Sequence, residues 1–159
     1  MDDQILSDIK VIDLTWYIAG AYCTKTFADY GAEVIKVEQP GQGDLADPKG
    51  KEVFKLLIEK ADVFIENNSA KAMDHLELGP EVLLKVNPGL VCINMPSYGR
   101  TGPYSNYVGW GDNAEALTGH GWVRGYDDDS HPISSNPVFH MDSTGAGRDS
   151  GLKAAKKDR

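Results

Sequence analysis

The sequence predicts an α/β fold, Rossmann-like, with a mostly parallel sheet and flanking helices, on three observations. Short apolar runs alternate with longer stretches of helical character from 10 to 95, in the order strand, helix, strand, helix, strand. The runs Val63-Phe64-Ile65 and Val91-Cys92-Ile93 are continuously apolar, which suits parallel strands covered on both faces. Between them Val53, Leu56 and Leu57, and again Val82, Leu83 and Val86, recur at helical spacing and give each helix one face to lay on the sheet.

In chain order, VIDL (11–14) is the first strand, the stretch from there to Tyr30 a helix, and EVIKVE (33–38) the second strand. A Gly/Pro loop follows. PKGKEVFKLLIEK (48–60) is the next helix, DVFIE (62–66) a third strand, PEVLLKV (80–86) a helix and LVCINM (90–95) a fourth strand. Beyond Met95 the segments 96–106 and 126–137 are rich in Gly, Pro, Ser, Asn and Asp, with a short helix at 113–117 between them. Loops of that length in a compact domain are commonly functional. The residues 148–159 lose apolar periodicity and end in charge, as a solvated tail does. No internal repeat and no low-complexity tract stands out.

With 159 residues, 41% hydrophobic and 25% charged, the chain suits one ordinary domain with its own core. A net charge of −8 disfavours nucleic acid as a partner, because phosphate-backbone binders carry clustered Lys and Arg. There is no apolar run of about 18 residues and no charged-then-apolar leader over 1–10, so no membrane association is expected and the cytoplasm is the expected location. Cys23 and Cys92 lie far apart in apolar segments, as reduced core thiols do.

Several motifs carry less than their form suggests. GQGDLA (41–46) fits the dinucleotide fingerprint, yet Asp44 and Asp47 would stand where a pyrophosphate must approach backbone N–H groups. A plain turn fits better. Asp127-Asp128-Asp129 lacks the alternation, central Gly and terminal Glu of a calcium loop. The histidines His75, His120, His131 and His140 have no paired metal-ligand spacing, so no metal is expected. No serine sits in a nucleophile elbow.

Asp142, within PVFHMDSTGAG (137–147), has three readings. A loop Asp beside Ser, Thr and Gly caps helices. An aspartic-protease motif needs Asp-Thr-Gly or Asp-Ser-Gly, and this run is Asp-Ser-Thr-Gly. The third reading is a carboxylate nucleophile among small residues that let a substrate come close.

Context decides between them. GAEVIKVE (31–38), ADVFIEN (61–67), SYGRTGPY (97–104), GDNAEALTG (111–119) and the late Asp142 occur in an order that resembles the family III CoA-transferases of CaiB/BaiF type. That family includes formyl-CoA, carnitine and benzylsuccinate CoA-transferases and the α-methylacyl-CoA racemases. The resemblance implies a large-domain fragment over 1–147 with the charged tail 148–159 after it. It makes Asp142 the nucleophile, which takes the acyl group as a mixed anhydride and then holds CoA as an aspartyl thioester. A carboxyl of ordinary pKa, about 3.9, is ionised at neutral pH without a general base. The resemblance places Trp16, Tyr17, Ile18, Glu38, Gln39 and Asn67 along the CoA site. It implies CoA or acyl-CoA as substrate, a carboxylic acid acceptor, no tightly bound cofactor and a homodimer.

Departures bear on competence. Formyl-CoA transferases carry Gln at the place of Ile18 and Arg at the place of His75, which leaves the substrate class open. Racemases carry a His just before an acid in the region of Gly111-Asp112; with glycine there, no imidazole stands ready for α-proton abstraction, and transfer is favoured over racemisation. Between 43–44 and 47–50 the family has a further strand with an Asn-Arg-Asn-Lys-like motif, and after Gly147 it continues into a second domain with a glycine loop over the active Asp. The chain is therefore expected to be internally shortened and C-terminally truncated, to self-associate and to turn over no substrate. A non-catalytic partner subunit or decayed remnant is the alternative, with a nucleotide-cofactor binder further behind.

Overall fold

The structure, a computed structural model, describes residues 4–38, 48–120, 122–124 and Asp142. The strands β1 (Lys10–Leu14), β2 (Glu33–Lys36), β3 (Val63–Glu66) and β4 (Val91–Asn94) pair in parallel as one sheet in the order β2-β1-β3-β4. Around it lie α1 (Tyr17–Asp29), α2 (Pro48–Ile58), α3 (Ala70–His75), α4 (Pro80–Val86) and α5 (Gly111–Leu117), with a 3-10 turn at Trp122–Arg124.

Side chains alternate across a strand, so continuous apolar runs feed two cores. Val11, Val63, Ile65 and Ile93 pack with Cys23 and Phe27 of α1 on one face. Ile12, Leu14 and Phe64 pack with Phe54, Ile58, Met73 and Leu83 on the other. The expected α/β architecture with a doubly covered sheet is what forms. The two cysteines sit on opposite faces of that sheet, each packed into its own core. Burial, and then the carboxyl of Glu66, pushes the Cys92 thiol up to about 11, so it is an unreactive thiol at neutral pH.

The buried face of α2 differs from the expected one. Val53 and Leu56 are 59% and 58% exposed, while Phe54 and Ile58 are buried and Leu57 is half-buried. The stripe is shifted because Phe54 offers more apolar area than Val53 and meets Phe64 edge-on, with centroids 5.5 Å apart at 77°. On α4, Leu83 is buried and Val86 packs against the same core, as expected, with Val82 at its flank.

The sequence reading missed α3, a single turn and a half too short for an apolar period. Its signal is the cap: Ser69 Oγ accepts from the Ala72 N–H at 3.3 Å. Ser69→Ala is expected to cost about 1 kcal/mol, read as a lower denaturant midpoint at unchanged slope. Gln39, the 41–46 loop, the 127–129 acids, His131, His140, the 126–137 loop and the 148–159 tail lie outside the described residues. No described helix is long and apolar enough to cross a membrane.

Candidate functional site

The chain leaves β1 in one direction to build β2 and in the other to build β3, so the sheet reverses its winding between β1 and β3. In open α/β sheets ligands bind outside the carboxyl ends of the strands at this reversal. The residues there are Thr15 and Trp16 after β1, and Asn67 and Asn68 after β3.

The loop after β1 is fixed from below. Asp13 is buried, and its Oδ1 accepts from the Thr15 N–H at 2.8 Å and from Lys36 Nζ at 3.1 Å. Lys36 Nζ also donates to the Thr15 carbonyl at 2.5 Å. Gly20 of α1 lets the helix close on this knot, since a Cβ there would lie 2.0 Å from Thr15 Cβ. Asn67 then clamps the backbone of the next residue. Its Oδ1 accepts from the Trp16 N–H at 2.7 Å, and its Nδ2 donates to the Trp16 carbonyl at 2.7 Å. Two expected CoA-site residues are thus joined across the crevice, and the side chain of Trp16 is left half-exposed.

Tyr17 follows with φ +55, a left-handed backbone that a bulky aromatic residue rarely adopts. Its ring meets Trp110 edge-on, with centroids 4.9 Å apart at 80°. Ile18 is 40% exposed on the first turn of α1. Glu38 is exposed beyond the end of β2, and no described contact joins it to this group; Gln39 is outside the described residues.

Asp142 arrives from the far end of the chain. It is half-buried, and its carboxylate lies against the bare Cα of Gly111, where a Cβ would be 2.5 Å from Oδ2 and 2.9 Å from Cγ. Burial raises the Asp142 carboxyl above the ordinary aspartate range, and the nearby Asp112 and Glu115 raise it further. It is a more basic carboxylate than the sequence alone suggested. Trp110, immediately before Gly111, caps the start of α5 and donates its N–H to Asn113 Oδ1 at 2.9 Å. The candidate nucleophile and the loop after β1 therefore meet through one dipeptide, Trp110-Gly111.

The loop between β4 and α5 is pinned at both ends. Ser97 Oγ donates to the Gly109 carbonyl at 2.6 Å, and Tyr98, Tyr104 and Tyr107 form a ring cluster with centroids 5.5–6.4 Å apart. Arg100 Nη2 donates to Asp74 Oδ1 at 2.8 Å. The groove beside that pair is lined by Asp74, Glu77, Glu81 and Arg100, an acidic balance that suits no phosphate-bearing ligand.

Glu66, the last residue of β3, was not singled out by the sequence for itself. It is fully buried, with Oε2 accepting from the Asn68 N–H at 2.7 Å and Oε1 without a partner among the described residues. Burial pushes its carboxyl up to about 7 against the lowering effect of Asn68 and Arg100. Trp110 was missed too, although glycines on both sides of it, at 109 and 111, signal a backbone in close contact. A Cβ on Gly109 would lie 2.7 Å from the Tyr98 ring, as one on Gly111 would meet Asp142. No three described His, Cys, Asp or Glu side chains converge as a metal site.

Comparison with known proteins bears on this arrangement. The sequence profile of CoA-transferase family III matches residues 6–46 and 44–148, two stretches that meet where the sequence suggested a shortening. The chain is 33% identical over 153 residues to succinyl-CoA–D-citramalate CoA-transferase of Chloroflexus aurantiacus, covering 77% of this chain and 38% of that protein. It is 32% identical over 163 residues to human succinyl-CoA:glutarate CoA-transferase, covering 84% and 36%. Human alpha-methylacyl-CoA racemase is 31% identical over 129 residues, covering 72% and 34%. A CaiB/BaiF family protein from Brucella suis superposes with a TM-score of 0.85 at 26% identity, over 96% of this chain and 48% of that one. The chain is thus shorter than its relatives and spans well under half the length of these curated ones.

Proposed function

Because the chain belongs to CoA-transferase family III, we propose that it moves CoA between carboxylic acids through an aspartyl-CoA thioester on Asp142. The observation that carries this is the carboxylate of Asp142 lying on the bare Cα of Gly111, with no side chain between it and the mouth of α5. Trp16, Tyr17, Ile18, Glu38, Gln39 and Asn67 line the CoA path in this reading, within a fragment of the large domain over 1–147.

The chemistry balances without an added cofactor. An Asp142 oxygen attacks the thioester carbonyl of acyl-CoA, expels the CoA thiolate and leaves a mixed anhydride. The thiolate attacks the aspartyl carbonyl, releases the donor carboxylate and leaves the aspartyl thioester. An acceptor carboxylate then expels the thiolate, which attacks the new acyl carbonyl and restores Asp142. One thioester is present at the start and one at the end, so no ATP is consumed. A raised carboxyl pKa assists, because a more basic oxygen is a stronger nucleophile. CoA is a substrate in this scheme and nothing is tightly bound; action as a homodimer in the cytoplasm is part of the same proposal.

A second reading has its own support. A Chloroflexus relative, 32% identical over 150 residues, is the beta subunit of succinyl-CoA–L-malate CoA-transferase, which supports a role as a partner subunit beside a second chain. Racemisation fits less well, because Gly111 supplies no proton acceptor.

Covalent trapping separates transfer from a non-catalytic role. Incubation with succinyl-CoA or phenylacetyl-CoA, quenched with hydroxylamine, is expected to leave a hydroxamate on the peptide holding Asp142. An unmodified Asp142 after both donors, or label confined to Cys23 or Cys92, would defeat the transferase reading.

A further inference from the structure

We infer that the acid seat beside Asp142 is walled by the Tyr17–Trp110 ring pair and takes monocarboxylic acids with an apolar, aryl-sized body in preference to dicarboxylic acids. The inference rests on the proposed role of Asp142 and narrows the acid that reaches it.

Position is the first reason. Gly111 touches the Asp142 carboxylate, and Trp110 is the residue before it, so the ring of Trp110 is the aromatic surface nearest in the chain to the nucleophile's contact. The ring of Tyr17 meets that of Trp110 edge-on. Both rings are open, Tyr17 at 72% and Trp110 at 56% exposure. An apolar body laid on them removes ring surface from water, whereas a short charged chain does not.

Strain is the second. Tyr17 keeps a left-handed backbone that disfavours any residue with a Cβ, and such outliers persist where the surroundings over-determine them. Here those surroundings are the Asn67 clamp on Trp16 and the Asp13–Lys36–Thr15 knot. The residue held in this strained conformation is the one whose ring meets Trp110.

Charge is the third. Asp112 and Glu115 lie close enough to bias the Asp142 carboxyl, and they are of its own sign. His120 approaches Glu115, with Nδ1 3.8 Å from Oε2. Among the described residues, Arg100 is engaged by Asp74, and Lys36 by Asp13 and Thr15. An acceptor with a second carboxylate adds another negative charge to this partly buried group, where like charges repel far more strongly than in water. An apolar body adds none.

Free-acid binding tests this without requiring turnover. Saturation-transfer NMR titrations of phenylacetate, 4-methylpentanoate and succinate into the full chain with CoA present are expected to rank both apolar acids about tenfold tighter than succinate. Trp110→Ala should erase that preference while leaving succinate unchanged; Tyr17→Asn should erase it too, with CoA affinity titrated alongside because Tyr17 also lines the proposed CoA path, and Asn suits the left-handed backbone, so this variant keeps the loop. Equal or tighter succinate binding, or no binding of any acid, overturns the inference. So does a loss in both variants that falls only on CoA affinity, which would put the rings under the nucleotide, or one that follows only a change of oligomeric state. A missing Asp142 hydroxamate with the acid preference intact would sink the covalent reading alone.

Discussion

Replacing Gly111 by alanine is expected to suppress the Asp142 adduct about 100-fold or more, approaching the complete loss expected of Asp142→Asn. The new Cβ would start 2.5 Å from Oδ2, 2.9 Å from Cγ and 3.2 Å from Oδ1 of Asp142. Contacts that short do not persist, so the carboxylate must swing away by a substantial fraction of an ångström. Misplacement of a reacting group by about 1 Å costs on the order of 100-fold in rate. Folding should be spared, because alanine is a better helix former than glycine and position 111 opens α5 without a left-handed backbone. The paired measurement is the rate of hydroxamate formation at Asp142 against the melting temperature. A variant that labels at the parental rate would mean that Asp142 does not lie on Gly111.

Glu66→Gln is expected to stabilise the chain in alkaline buffer and to leave it unchanged in acid. The Glu66 carboxyl rises from 4.5 to about 7 on folding, so the folded state holds its proton where the unfolded state has already lost it. The resulting stability is fully present below pH 4.5 and is lost as the pH rises through about 7. A difference of that size corresponds to roughly 3 kcal/mol, taken as an upper bound. Glutamine still accepts the Asn68 N–H and carries no charge to desolvate. Denaturation of both proteins from pH 4.5 to 8.5 should give curves that coincide at the acid end, separate progressively between about pH 4.5 and 7, and keep a constant gap above that, with the variant higher. A gap that does not change between pH 4.5 and 8.5 would place Glu66 in contact with water or a cation.

Each strand was legible because the signal is local. VIDL, DVFIE and LVCINM are short, apolar and bounded by polar turns, and the continuous apolar runs announced cover on both faces. The family was legible for another reason: the order of several short motifs survives where no single one is specific. The helix faces were only half legible. Val53 and Leu56 fit a helical period as well as Phe54 and Ile58 do, and what separates them is the partner ring of Phe64 across the core. Of the candidate site residues, Trp16 and Asn67 are brought together by hydrogen bonds, whereas Glu38 stands apart at the sheet's edge.

By itself the sequence determined an alternating α/β chain, the kinship with CoA-transferase family III and an aspartate at 142 worth suspecting, since composition and periodicity act over a few residues. Only the tertiary structure decided that Gly111 bares the flank of that aspartate, that Tyr17 and Trp110 face each other, and that Glu66 is sealed from water. Those facts depend on segments far apart in the chain being closed onto one sheet edge. Distance, dielectric and like-charge repulsion are properties of that closure, and no local pattern encodes them.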